Sequence, residues 1–564
     1  MKTHNIALVM LLLAGTSAPL AAQTQPAPAS RADVARFADA LLKSKYRADA
    51  PGGVVLVARG DTVLYRGARG AANVEKKVPL RTNSIFRIGS VTKQFAAAGV
   101  LKLVEAGKVK LDDPLSKYVP GFTGGDGITV LQLLNHTAGV KNYTAIKGYM
   151  VGPLIQRDLT TAQMIDVFKD LPADFAPGAK WNYSNSGYVL VGAIIEAASG
   201  EPWHAYLQRA LFRPLGMTST GYAADPKLVA RQVKPYSYDK DKLMPARPLS
   251  LTQPHAAGSL LSTADDLLKW TRALHEGRVI NNALYTQMTT PAGSAKEVGY
   301  GFGIFREKLR THPMLTHGGG IFGFISALNY VPGPGITVVV LENDDQDDDR
   351  RGGESADTVA RKLAAMALGD PYPALKAVAV DAAALKAAEG TYRFDADVTR
   401  ILRVADGKLT AQRGSRGDAV PLTPIADDDF LYPDGFNRLK LERDASGKVI
   451  AARIFPNGDG AGEVGVRTEP VAAASAPVTR AMLERLAGNY AHAEAGLSLK
   501  VFFEGDGFLA QLAGQPPVTL RTKSATEFEV EEDGATIHFP AGETPASVAT
   551  MRKGGREITL KRVP

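Results

Sequence analysis

Ser84-Ile85-Phe86-Arg87-Ile88-Gly89-Ser90-Val91-Thr92-Lys93-Gln94-Phe95 is the stretch on which the reading of this chain turns. Gly89 interrupts an apolar run, and a helix-compatible segment continues from Ser90 to Gly107, which reads as its C-terminal stop. Between Val91 and Ala106 the segment is rich in Ala, Val and Leu on nearly all sides, the pattern of a buried helix. Ser90 then sits at the mouth of that helix, where unpaired N–H groups and the helix dipole favour negative charge. Lys93 is three residues on and shares a face with Ser90. A serine, an amine and backbone donors make a minimal kit for covalent acyl transfer. Ser-x-x-Lys alone also fits an ordinary helix cap, but a lysine on an apolar helix needs a reason.

Outward from this stretch, helical spacing appears in 31–46, and β-rich runs at Val54–Ala58 and Thr62–Tyr65 flank a Gly60-Asp61 turn. Helix starts follow at Thr129, Thr160 and Ser262-Thr263. Ile325–Val331 and Ile336–Leu341 flank Pro332-Gly333-Pro334-Gly335, an antiparallel hairpin, and 356–368 is helical again. Helices and antiparallel strands mix without βαβ alternation. The expected class is α+β: an antiparallel sheet flanked by helices, with a helical subdomain.

Beyond about residue 375 the texture changes to short alternating strands between Gly/Asp turns. It also repeats: Gly390-Thr391-Tyr392 answers Gly488-Asn489-Tyr490, and Phe430 answers Phe528. Two tandem all-β barrel-like modules are expected, over 382–469 and 478–564, joined by the Ala/Pro-rich linker 470–477. The acidic run 344–349 reads as a solvated loop, and no spaced ligand pattern for a metal is evident.

Composition bounds the function. The 564 residues are 45% hydrophobic and 22% charged, enough for roughly three to four domains. The net charge is +8, with basic residues scattered rather than clustered, which argues against nucleic-acid binding. Cysteine is absent, excluding disulfides, thiolate zinc sites and a thiol nucleophile. Lys2, the apolar run Ile6–Ala14 and Ala21-Ala22 read as an export signal over 1–22. The run is too short to span a bilayer, so a periplasmic or secreted protein is expected.

Two further motifs bear on the chemistry: Trp181-Asn182-Tyr183-Ser184-Asn185 before an apolar helix, and Thr316-His317-Gly318-Gly319-Gly320 before a strand. Ser90-Val91-Thr92-Lys93, Tyr183-Ser184-Asn185 and His317-Gly318-Gly319 together resemble the serine β-lactamase and penicillin-binding protein superfamily in order and rough spacing. The Tyr-x-Asn element is similar to that of the class C β-lactamase-like branch, which also holds D-aminopeptidases, D,D-carboxypeptidases and esterases. Leu133–Gly139, Pro214–Met217 and Gly258–Thr263 support the likeness, which covers about 31–370. His136, in the first of these segments, reads as structural.

The resemblance implies a β-lactamase/transpeptidase-like catalytic domain over 31–370, and lipocalin-like barrels after it. It implies that Ser90, Lys93 and Tyr183 are catalytic: Ser90 as nucleophile, Lys93 as proton holder, Tyr183 as general base through a phenolate favoured by Lys93. Whether Lys93 or Tyr183 is the base stays open. Asn185, His317, Gly318 and Gly319 would bind substrate, and the N–H groups of Ser90 and Gly320 would form the oxyanion hole. No cofactor and no metal is implied. The expected substrate is a small molecule or short peptide, cell-wall fragments included; no nucleic-acid partner is expected and the oligomeric state is open.

Relatives that bind a substrate carboxylate often carry lysine where this chain has His317. With an ordinary pKa near 6.5, His317 would be mostly neutral at pH 7 and gain charge on acidification. Weaker carboxylate anchoring turns the expectation towards esters, amides and amino-terminal D-peptides. The rival reading is a non-catalytic penicillin- or peptidoglycan-binding protein.

Overall fold

A computed structural model describes residues 27–239, 242–345, 354–395, 398–414, 419–458, 460–469, 480–493, 496–505, 507–515, 517–523, 526–530, 535–540, 542, 545–553 and 556–563. The export-signal reading, the linker and most of the acidic run lie outside the described residues. The chain divides into two compact units that are not contiguous in sequence. One comprises residues up to Ala384 with Val420–Gly465; the other comprises Leu385–Ala419 with Val466–Pro564.

The first unit is built on a six-stranded antiparallel sheet. Its five longest helices are α1 (Arg31–Lys45), α2 (Thr92–Glu105), α3 (Asn185–Ser199), α4 (Ala264–His275) and α5 (Ala356–Leu368) among the described residues. Its strands are β1 (Gly53–Arg59), β2 (Thr62–Arg69), β3 (Phe305–Leu309), β4 (His312–Ile321), β5 (Phe324–Val331) and β6 (Ile336–Glu342), in the order β3-β4-β5-β6-β1-β2. The central strands β1 and β6 are buried almost throughout, and mostly apolar, because both faces are covered. Val54, Leu56 and Ala58 of β1 join a core with α2, α3 and α4. Val55 and Val57, facing the other way, join a core with α1 and α5. The hairpin expected at Pro332–Gly335 is present, with Val331 paired to Ile336.

One motif does more than expected. Thr316–Gly320 precedes a strand, β5, and is itself extended, forming the second half of β4. Three glycines in a row weaken any local strand signal, and pairing with β5 overrides it. β3 pairs only with His312–Thr316, so from Gly318 to Ile321 β4 is paired on the β5 side alone.

The C-terminal region is all-β and barrel-like, as the repeat implied. Residues 390–469 contribute a nine-stranded sheet, and residues 488–563 close into an eight-stranded barrel. The repeated tyrosines occupy equivalent corners. Tyr392 and Tyr490 are fully buried, and each donates its hydroxyl, at 2.7 Å, to the carbonyl four residues earlier, Ala388 and Leu486 respectively.

Candidate active site

The Ser90 turn is pinned from three sides. Ile88 N–H donates to Leu260 O at 3.0 Å, Leu260 N–H donates to Thr92 Oγ1 at 3.2 Å, and Ser326 Oγ donates to Ile88 O at 2.9 Å. Gly89–Val91 is a single 3₁₀ turn leading into α2. Gly89 has φ +48°, and a Cβ there would stand 3.0 Å from Gly320 N. A Cβ on Gly319 would stand 2.1 Å from Ile88 O, so only glycine lets β4 lie this close to the nucleophile turn.

α2 is buried almost all round, and Lys93 is 0% exposed. Its Nζ lies 3.0 Å from Ser90 Oγ, 2.9 Å from Asn185 Oδ1 and 2.8 Å from Ala257 O. Burial, with no carboxylate among these partners, holds the Lys93 amine well below its ordinary 10.5. A neutral amine has two N–H donors and one lone pair. Asn185 Oδ1 and Ala257 O can only accept, so the lone pair is left for the Ser90 hydroxyl proton.

Asn185 opens α3, whose N-cap is Ser184: Ser184 Oγ accepts from Gly187 N–H and donates to Val140 O. Tyr183 precedes the cap, and Lys93 Nζ lies 4.7 Å from its ring centroid. Burial pushes the Tyr183 phenol well above its usual 10, against a smaller opposing pull from its hydrogen bond with Ser90. The phenolate expected at Tyr183 is therefore the disfavoured form.

His317 is 3% exposed, and burial, aided by the nearby Lys93, pushes it down to about 3. The expected gain of charge near pH 6.5 is corrected accordingly: the imidazole stays neutral. Its partners form a directed row. Ser184 N–H donates to His136 Nδ1 at 3.2 Å, leaving His136 Nε2–H for Tyr300 Oη at 3.2 Å. Tyr300 Oη is 3.1 Å from His317 Nε2, and His317 Nδ1 is 2.6 Å from Gly318 O. Both end groups are fixed, one a donor and one an acceptor, so a single tautomer of each ring satisfies the row. His136 holds φ +63°, a conformation costly for a side-chain-bearing residue, to make these contacts.

A cleft of about 370 Å³ opens over Ser90, which lines it with Asn185, Ala257, Gly258 and Gly320. Ser90 and Gly320 thus meet at one cavity, the arrangement an oxyanion hole needs. Lys93, Tyr183, His317, Gly318 and Gly319 are not part of that lining. Three participants had escaped the sequence reading: the Ala257 carbonyl, Tyr300, and Asp345 in the cleft wall. Among the described residues no group of three or more His, Asp or Glu is placed to hold a metal ion.

Comparison with known proteins fits this geometry. The family model described as Beta-lactamase matches residues 34–361. Penicillin-binding protein 4* of Bacillus subtilis is 28% identical, over 57% of this chain and 73% of its own length. A D-aminopeptidase of Gluconobacter oxydans is 28% identical, over 60% of this chain and 63% of its own length. Among solved structures, a D-stereospecific amidohydrolase from Streptomyces sp. matches with a TM-score of 0.50 and 29% identity. That match covers 57% of this chain and 97% of the other.

Proposed function

This chain belongs to the Beta-lactamase family, and from that premise we propose that it hydrolyses an amide or ester bond through an acyl intermediate on Ser90. The observation that carries the reading is the Lys93 cage. A buried, neutral amine with both protons occupied points its lone pair at Ser90 Oγ, 3.0 Å away. Lys93 is thereby the base. As Ser90 Oγ attacks the substrate carbonyl carbon, its proton passes to Lys93 Nζ. The carbonyl oxygen becomes an oxyanion between the N–H groups of Ser90 and Gly320, each donor worth about 3–4 kcal/mol in such sites.

Tyr183, kept as a phenol by burial, protonates the departing amine or alkoxide and is reprotonated by the Lys93 ammonium. Water then attacks the acyl-Ser90 ester by the reverse proton route. His317 is neutral and not part of the cleft lining, which supports substrates that need no carboxylate anchor. The D-aminopeptidase and D-stereospecific amidohydrolase relatives favour amide-type substrates.

Labelling with a fluorophosphonate, followed by peptide mapping, tests the assignment. The adduct is expected on Ser90 and absent in Ser90→Ala. Penicillin binding without turnover of any ester or amide would favour the non-catalytic alternative. We also propose that the chain is exported, on the character of residues 1–22; a periplasmic or secreted protein whose N-terminus begins after Ala22 is the expected result. The division into a catalytic domain at 31–370 and modules at 382–469 and 478–564 is proposed likewise, for limited proteolysis to test. Among the described residues no helix is long and apolar enough to cross a membrane.

A further inference from the structure

Among the described residues, Asp345 is the one formally charged side chain in the lining of the Ser90 cleft. The rest of the wall is neutral, with Met150, Leu249, Pro254, Ile321 and Ile325 giving it an apolar character. The Asp345 carboxylate is held in place through one oxygen only. Oδ2 accepts from Gly323 N–H at 2.8 Å and from Ser237 Oγ at 2.7 Å, while the backbone N–H of Asp345 donates to Tyr236 O at 3.2 Å. Oδ1 has no hydrogen-bond partner, and the residue forms no ion pair, among the described residues.

Arg247 packs against one lining residue, its guanidinium 5.7 Å from the Phe322 ring centroid. Its NH2 donates to the carbonyls of Met150 and Val151, and the residue is not part of the lining. Of the other basic side chains near Ser90, burial pulls the Lys93 amine well below its ordinary value and His317 down to about 3. Among the described residues the cleft lining therefore holds one oriented carboxylate and no lysine or arginine.

We infer that Asp345 is a specificity-determining residue, recognising a protonated amine on the substrate through Oδ1. The inference rests on the acyl-enzyme reading of Ser90 and adds the substrate class: amino-acid esters or amides, or short peptides, carrying a free amine. A carboxylate fixed by two donors in an apolar cleft attracts a cation more strongly than one free in water. The same charge repels substrates that present a carboxylate to this wall.

The test compares phenylalanine methyl ester, both enantiomers, with methyl 3-phenylpropionate, which lacks the amine, below pH 7. In the wild-type protein kcat/KM favours the amine-bearing ester. In Asp345→Asn, which keeps an oxygen for Gly323 N–H and Ser237, that preference falls about 10- to 100-fold. Turnover of the amine-less ester and fluorophosphonate labelling of Ser90 stay unchanged. A second measurement needs no variant: 2-phenylethylamine protects wild-type Ser90 from labelling better than 2-phenylethanol does. An unchanged preference in Asp345→Asn, or equal protection by the two ligands, overturns the inference while leaving the acyl-enzyme reading intact. Failure of Ser90 to label at all overturns both.

Discussion

Lys45 and Lys93 are both buried lysines of the same compact unit, and their surroundings are opposite. Lys45 Nζ lies 3.1 Å from Glu342 Oε1, a carboxylate 0% exposed that also accepts from Tyr46 Oη. Lys93 has three oxygen neighbours, none of them a carboxylate. The first arrangement is an ion pair joining the end of α1 to the end of β6. The second favours the neutral form of the amine, with a serine hydroxyl 3.0 Å from Nζ. What a buried lysine does is set by the charge of what faces it, not by burial alone.

Exchanging each lysine for methionine should separate the two roles. Lys93→Met is expected to lower kcat/KM on any ester by about 10³-fold, the scale of a lost general base, with denaturant stability kept or raised. An ester rate within tenfold of wild type would mean that Lys93 is not the base. Lys45→Met should do the reverse. It removes the buried ammonium that faces the Glu342 carboxylate, a loss of about 3–5 kcal/mol in urea unfolding, while the labelling rate of Ser90 per folded molecule is unchanged. If both variants lose stability equally and activity equally, the contrast between the two sites fails.

Acid–base linkage sharpens the contrast further. The folded-state pKa of Lys93 is depressed, so at any pH between that value and 10.5 the unfolded chain binds a proton that the folded chain does not. Lys93 therefore disfavours folding at low pH, and its contribution improves by about 1.4 kcal/mol for each pH unit gained within that window. The pH dependence of stability in wild type, less that in Lys93→Met, should have this slope; a flat difference would mean that the amine stays charged when folded. Activity follows the same sign, since protonating Lys93 removes the base and kcat/KM falls on the acid side. The smallest expected effect is at His317. With its pKa near 3, lowering the pH from 8 to 5 should leave the ratio of carboxylate-bearing to neutral esters unmoved by His317, as His317→Gln against wild type would report.

Much of this site could be read from sequence because its main side chains sit in local patterns. Ser90 and Lys93 are one helical turn apart, Tyr183 and Asn185 bracket a helix cap, and the glycines after His317 mark close backbone approach. The structure brings Ser90, Lys93, Tyr183 and Asn185 together. The Ala257 carbonyl left no trace, since a backbone oxygen has no sequence signature. Tyr300 is one of 18 tyrosines, in a turn without periodicity, and its role depends on two histidines distant in sequence. Asp345 was read as part of a solvated acidic run, because only the fold shows that its first residues turn back onto the cleft. That His317–Gly320 is itself strand was not legible for a physical reason: pairing with β5 supplies what a Gly-Gly-Gly sequence lacks.

The row from Ser184 through His136, Tyr300 and His317 to Gly318 O has a mechanical consequence. Every link gives its proton in the same sense, so the bond dipoles add head to tail and each link strengthens its neighbours. Reversing the row would need an acceptor where Ser184 offers only an N–H, and a donor where Gly318 offers only a carbonyl oxygen. It is thus a latch rather than a wire. One end holds the entry of α3, where Asn185 touches Lys93; the other holds the glycine half of β4, which carries Gly320. The two walls either side of Ser90 are tied into one frame, and the distance between Lys93 and Gly320 becomes a property of that frame instead of any one side chain.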